Sequence, residues 1–210
     1  MILLEKFKNL DMDKSLIGLE KGDSEGGYFC TPIRTKVIGW ECEGIHYCFI
    51  EGFGEMVFAV NPETAEEHYV RPLAKNFNDF LSLVLACKGT TAAEQISGWN
   101  KKQFEEFLAN EDPDFAAKRQ VVLDKIQNEL GITPIGNPFE YVKAIQSEFD
   151  YSKIRFTEEY YDVLGLELPE GILKTERDYE EFETVEIRTG REDSGQWISI
   201  KKNTQLLLEF

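Results

Sequence analysis

Bases are scarce in this chain. Twenty-three Lys and Arg stand against 39 Asp and Glu, a net charge of −16 over 210 residues. A surface that grips DNA or RNA needs lysine and arginine to neutralise phosphate, so such a role is excluded as the main one. The same deficit argues against docking on an anionic membrane. Histidine is scarcer still, with His46 and His68 alone, which leaves few imidazole candidates for acid–base catalysis. The four cysteines, Cys30, Cys42, Cys48 and Cys87, form no CxxC, so neither a secreted disulfide framework nor a zinc knuckle is indicated. An apolar run such as Leu83–Cys87 is far too short to span a membrane. The opening MILLEKFKNLDMDK lacks the cationic stretch and long apolar core of a secretory signal. No GxxxxGK[ST] or GxGxxG phosphate frame occurs. These absences lead to the expectation of an acidic cytoplasmic protein with reduced thiols, no cofactor and no nucleic-acid or membrane partner.

What is present is a folded composition. Hydrophobic residues make up 42% and aromatics 12%, with 15 Phe against 3 Trp, too apolar for a disordered chain. The length suits one large domain, or one domain plus an appendage. The negative charge is uneven. Residues 1–110 carry 11 bases and 17 acids, and residues 111–210 carry 12 and 22. The densest stretch, Glu158–Glu186, holds 11 acids against Lys174 and Arg177.

The pattern of elements is α+β. Residues 1–26 carry no clear signal, and KGDSEGG (21–27) reads as a turn. Strand-like runs follow at Tyr28–Cys30, Thr35–Glu41, Ile45–Ile50, Met56–Val60 and His68–Arg71, punctuated by Gly and Pro as in an antiparallel meander. Helices then take over. Phe77, Phe80, Leu81, Val84 and Leu85 lie on one helical face, with Asn76 or Lys75 to open that helix and Gly89 to close it. Thr91–Trp99 and Lys101–Leu108 read as short helices. Pro113 opens a longer one ending at Gly131, with Phe115, Val122, Ile126 and Leu130 as its inner face. Another helix starts at Pro138, and Phe156–Leu164 reads as helical. Residues 184–199 alternate as a β-hairpin around a polar turn. The expectation is an antiparallel, mixed-order sheet in the N-terminal half packed by helices, then a helical and hairpin C-terminal extension.

The stretch GIHYCFIEGFGEMVFAVNP (44–62) poses the functional question. His46 and Cys48 share a strand face, so with Cys42 and Cys30 they could be imagined around zinc, or as a nucleophile and its base. Glu51 and Glu55 flank Gly52–Gly54 and could form a carboxylate pair, which together with Cys48 and His46 would line a hydrolase cleft. Yet Ile45, Tyr47 and Phe49 alternate with His46, Cys48 and Ile50, and both sets are mostly apolar, as is Met56–Val60. Strands apolar on both faces are covered on both sides. The stretch therefore reads as two adjacent core strands joined at EGFGE, with no catalytic, metal or cofactor residues assigned. The binding candidates are the acids of this turn, Glu51 and Glu55, and those of the acidic stretch: Glu158, Glu159, Asp162, Glu180 and Glu181. Tyr160 and Tyr161 lie among them as aromatic anchors.

In order along the chain, IGWECEGIHYCFIEG, EMVFAVNPE and VRPLAKNFNDFLSLVL resemble the SUKH superfamily, which includes fungal glucan-synthesis regulators and bacterial immunity proteins. The matching positions are Ile38–Gly39, Ile45–Gly52, Met56–Pro62 and Leu73–Ala74 with Phe77, Phe80 and Leu81, within residues 27–88. The resemblance implies a SUKH-like α+β domain over 1–110; residues 111–210 have no counterpart in it and read as a helical plus β-hairpin extension, either part of the same domain or a second one. Family members open with a helix, and residues 1–26 offer none that can be read. The resemblance also implies a non-enzymatic protein that binds and neutralises a toxin, often a nuclease. A nuclease is basic where it grips phosphate, so an acidic antidote complements it. The rivals are a regulatory scaffold with no toxin partner, as in the fungal relatives, and the hydrolase cleft described above.

Overall fold

The structure is a computed structural model and describes residues 2–21 and 27–169. Its centre is a four-stranded antiparallel sheet in the order β1-β2-β3-β4: β1 (Thr35–Trp40), β2 (His46–Ile50), β3 (Val57–Val60) and β4 (Val70–Ala74). Each strand pairs with the next, so the sheet is a meander within an α+β fold. In β2 and β3 the register pairs His46 with Val60 and Phe49 with Val57, which places the EGFGE turn at one end of the sheet and His46 at the other. Gly52 and Gly54 sit in that turn with φ of +91° and +66°, a region that side chains with a Cβ rarely enter.

Seven helices are described: α1 (Ile2–Lys8), α2 (Phe77–Cys87), α3 (Thr90–Gln95), α4 (Lys101–Ala109), α5 (Pro113–Leu130), α6 (Pro138–Glu148) and α7 (Glu158–Leu164). Local chemistry sets their ends. Asn76 accepts from the Asp79 amide at the start of α2, and Asn100 and Gln103 form a reciprocal capping box on α4. Pro113 occupies the first turn of α5, where its missing N–H costs nothing, and Gly131 closes that helix in the left-handed region.

The pleat sorts β2 and β3 onto two cores. Tyr47, Val57 and Ala59 face a large cluster built with Phe77, Phe80, Leu81 and Val84 of α2. Leu4 and Phe7 of α1, Val122, Leu123 and Ile126 of α5, and Phe139 and Val142 of α6 join the same cluster. On the opposite face Cys48, Ile50, Phe58, Val60 and Val70 pack with Cys30 and Ile154, and with half-buried Phe29, Phe149, Tyr151, Phe156 and Tyr160. Both faces are covered, as the two-sided apolar pattern requires.

Several expectations need correction. Residues 2–8 form a helix after all. Its signal is only two inward residues, Leu4 and Phe7, too few to show a period. Tyr28–Cys30 is a turn, closed by the Thr31 amide on the Tyr28 carbonyl, with Tyr28 stacked on His46 while Phe29 and Cys30 turn into the opposite cluster. The fourth strand lies at Val70–Ala74 and includes Pro72, which an edge strand tolerates. In α5 the buried residues are Val122, Leu123 and Ile126, whereas Phe115 is 43% exposed. The first two turns of that helix project past the core, so a residue with the right phase has no core beneath it. The expected hairpin at 184–199, and with it Glu180 and Glu181, lies outside the described residues.

Candidate functional site

The chemically suggestive residues of β2 are spent on structure. Cys48 is fully buried, and burial pushes its thiol far above the ordinary value. Cys30 is buried too, and its thiol is pushed up to about 12. A thiol held protonated in this way is a poor nucleophile and a poor metal ligand. The His46 ring is buried with both nitrogens engaged. Nδ1 lies 2.9 Å from the Gly44 carbonyl and Nε2 lies 3.1 Å from the Thr31 hydroxyl. The Thr31 oxygen also accepts from the Tyr28 amide at 2.8 Å, so its own hydrogen is free to point at Nε2 and the proton of His46 belongs on Nδ1. Glu51 and Glu55 lie beyond the opposite end of β2 from His46, five residues along an extended chain, or about 16 Å. The imagined Cys–His–Glu cleft is therefore not assembled. Among the described residues no group of three or more His, Cys, Asp or Glu is placed to hold a metal ion.

The acids are arranged differently. Glu51 and Glu55 are exposed at the hairpin tip, and Glu51 pairs with Arg34 at 3.2 Å across the surface. A shallow depression beside the tip, lined by Glu51, Gly52 and Phe53, is completed by Glu148, Phe149, Asp150 and Lys153 from the end of α6 and the turn that follows. Phe53 holds this junction together, with its ring 5.3 Å from Phe58 and 5.5 Å from Phe149. The Asp150 carboxyl is held below its usual range, first by the Ser152 hydroxyl that bonds it at 2.6 Å. Glu148 and Asp150 thus extend the patch that sequence reasoning located only at Glu51 and Glu55. They were missed because they lie about a hundred residues downstream.

The α7 acids form a separate group. Glu159 and Asp162 are exposed and Glu158 is half-buried. Tyr160, expected as a surface anchor, stacks on Phe156 at 3.9 Å and packs against Phe29 and Tyr69. It fastens α7 to the sheet. Tyr161 lies edge-on to Tyr160 and is half-buried. Tyr69 adjoins the Val60–Val70 end of the sheet, so α7 is anchored away from the hairpin tip.

Two further polar networks have no counterpart in the sequence reading. Arg71 on β4 and Glu94 on α3 form an ion pair that is nearly inaccessible on both sides. Glu94 also accepts from Asn61 at 2.9 Å and from Gln95 at 2.8 Å. The signal available for this pair was a charge inside each of two apolar segments, VRPLA and TAAEQI. At the other network, Glu41 receives the hydroxyls of Tyr47, Thr90 and Thr91. Nearby, Glu111 is held by Arg119 and Lys88.

No protein-family model matches the chain, and no curated protein or solved structure matches it either. No described helix is long and apolar enough to cross a membrane.

Proposed function

We propose that this chain is a non-enzymatic binding protein of the immunity type, which neutralises a basic toxin domain, such as a nuclease, by covering its phosphate-gripping surface. The supporting observation is the exposed acidic patch at the β2–β3 tip, where Glu51, Glu148 and Asp150 line a depression with Phe53 and Phe149, Glu55 stands exposed in the same turn, and Arg34 and Lys153 offset part of the charge, on a molecule of net charge −16. Carboxylates ringed around half-buried aromatics combine long-range attraction for a cationic partner with a small apolar centre to dock on. The α7 acids Glu158, Glu159 and Asp162 add a second negative surface. The SUKH-like motif order points to the same class of protein. The burial of Cys48 and His46 favours this reading over the hydrolase.

The test uses whichever protein encoded beside this chain's gene carries a basic domain. Its activity and binding are measured with and without the purified chain at low and high salt. The expected result is stoichiometric inhibition whose affinity falls steeply with salt, and falls further in the charge-reversed double variant Glu51→Lys, Glu55→Lys. Failure to bind or inhibit that domain at low salt would reject the proposal.

A further inference from the structure

The two edges of the sheet differ. All five residues of β4 are buried, and α6 lies against that strand, with Gln146 donating to the Pro72 carbonyl at 3.3 Å. On β1, Thr35, Val37 and Ile38 are half-buried and Lys36 is exposed. The outer side of β1 is closed at both ends. Trp40 exchanges two main-chain bonds with Glu20, at 2.8 and 2.9 Å, and the Ile33 amide donates to the Arg155 carbonyl at 3.0 Å. On the inner side the Arg34 carbonyl accepts from the Glu51 amide, and the Glu41 amide donates to the Ile45 carbonyl. Main-chain groups alternate in direction along a strand, so Thr35 and Val37 turn outward between the two closures. Their outward N–H and C=O groups have no main-chain partner among the described residues. A gap of this kind is a template for one more short strand.

The side chains at the gap define which strand fits. Thr35 and Val37 stand across from Ile50 and Cys48, on the face of the second core, and Lys36 stands across from Phe49 on the other face. A matching strand is apolar at two alternate positions and acidic at the position between them. Lys36 and Arg155 are both exposed, and neither forms an ion pair among the described residues, on a chain with 16 more acids than bases. A lysine on an open edge discourages unspecific pairing and admits an acidic strand.

The chain carries such a segment itself. Residues 170–210 lie outside the described ones. In their sequence Val185 and Ile187 alternate around Glu186, and Glu180, Glu181 and Glu183 come just before. Distance is no obstacle. Arg155 is bonded to the edge, α7 advances the chain by about 10 Å, and residues 170–182 can span about 40 Å when extended.

We propose that Glu183–Arg188 adds to the sheet as a fifth strand, antiparallel to β1, with Glu186 across from Lys36, Val185 across from Val37 and Ile187 across from Thr35. The outward groups of Thr35 and Val37 then find partners, and two apolar side chains extend the second core. The occupant is the chain's own segment because it supplies the alternation, the acid and the reach together. The inference does not rest on the antidote reading.

The test follows amide hydrogen exchange by NMR in the ¹⁵N-labelled full chain. The Thr35, Val37, Val185 and Ile187 amides are expected to exchange slowly. Ile187→Pro, which removes a donor from the new strand, is expected to speed Thr35 and Val37 about tenfold or more while the central-strand amides of Tyr47 and Cys48 keep their rates. Lys36→Glu is expected to speed them several-fold, and Lys36→Glu combined with Glu186→Lys to restore slow exchange. Fast exchange at Thr35 and Val37 in the unmodified chain, slow exchange unmoved by Ile187→Pro, or a charge swap that restores nothing would each overturn the proposal. Protection that rises with protein concentration would put a second copy on the edge and overturn it as well. The antidote reading is decided separately, by inhibition of the neighbouring basic domain.

Discussion

Cys42 and His46 are four residues apart and opposite in circumstance. Cys42 is the exposed cysteine of the four, and Cys30, Cys48 and Cys87 are buried. In the native protein one thiol per chain should therefore react with a disulfide reagent, and the other three only after unfolding. Thiol counting before and after denaturant checks this. Because desolvation and three carboxylates raise the Cys42 thiol, its native reaction should need a higher pH than a free cysteine does. His46 behaves in the opposite sense. Burial lowers its folded value below the ordinary 6.5, partly offset by the Gly44 carbonyl. The unfolded chain therefore takes up the proton first as pH falls. The stability that His46 contributes is complete above about 6.5 and is lost as the pH drops through the folded value. Melting temperature should decline from pH 7 toward 5, and His46→Gln should flatten that decline. An equal slope in the variant would show that other groups carry it.

At the scale of elements, the joint between β4 and α3 is the point of greatest consequence. Arg71 and Glu94 have side chains 5% and 1% exposed, so removing either partner strands a charge away from water. Arg71→Met or Glu94→Gln alone should cost about 3–5 kcal/mol, read as a lower urea midpoint. The double variant Arg71→Met, Glu94→Leu should lose much less, because two desolvation penalties vanish together. Arg71 Nε has no hydrogen-bond partner among the described residues, which adds to the cost of keeping the pair. A milder element-level effect is expected at the α2 cap, where Asn76→Ala should remove about 1 kcal/mol by freeing the Asp79 amide.

For the whole molecule, charge is the governing quantity. With −16 on a chain of 24.2 kDa, an encounter with the cationic partner of the proposed function would be steered from beyond the contact distance. The association rate should fall by about tenfold or more between 0.05 and 0.5 M salt, while the dissociation rate changes far less. Stopped-flow mixing with the basic domain separates the two rates. A salt effect confined to dissociation would mean that short-range pairs, and not the overall field, control binding.

The central strands of the meander and the helices from α2 onward could be read from the sequence, whereas α1 could not. Alternation over 45–60 marked β2 and β3 as core strands, and Asn76, Pro113, Gly131 and Pro138 announced helix ends, because caps and periods are set by residues within one or two turns of each other. The burial of Cys48 and His46 followed from the same local pattern, since strands apolar on both faces are covered on both sides. The local pattern could not reveal which surfaces exist. Phe115 has the phase of a core residue and is exposed because α5 overhangs the core. Tyr160 sits among acids and is an anchor because Phe29 and Phe156 close on it. The tip patch joins residues 51 and 150, and the Arg71–Glu94 pair joins a strand to a helix. Burial and charge pairing at such sites depend on what the rest of the chain brings alongside, and that is settled only when the chain packs.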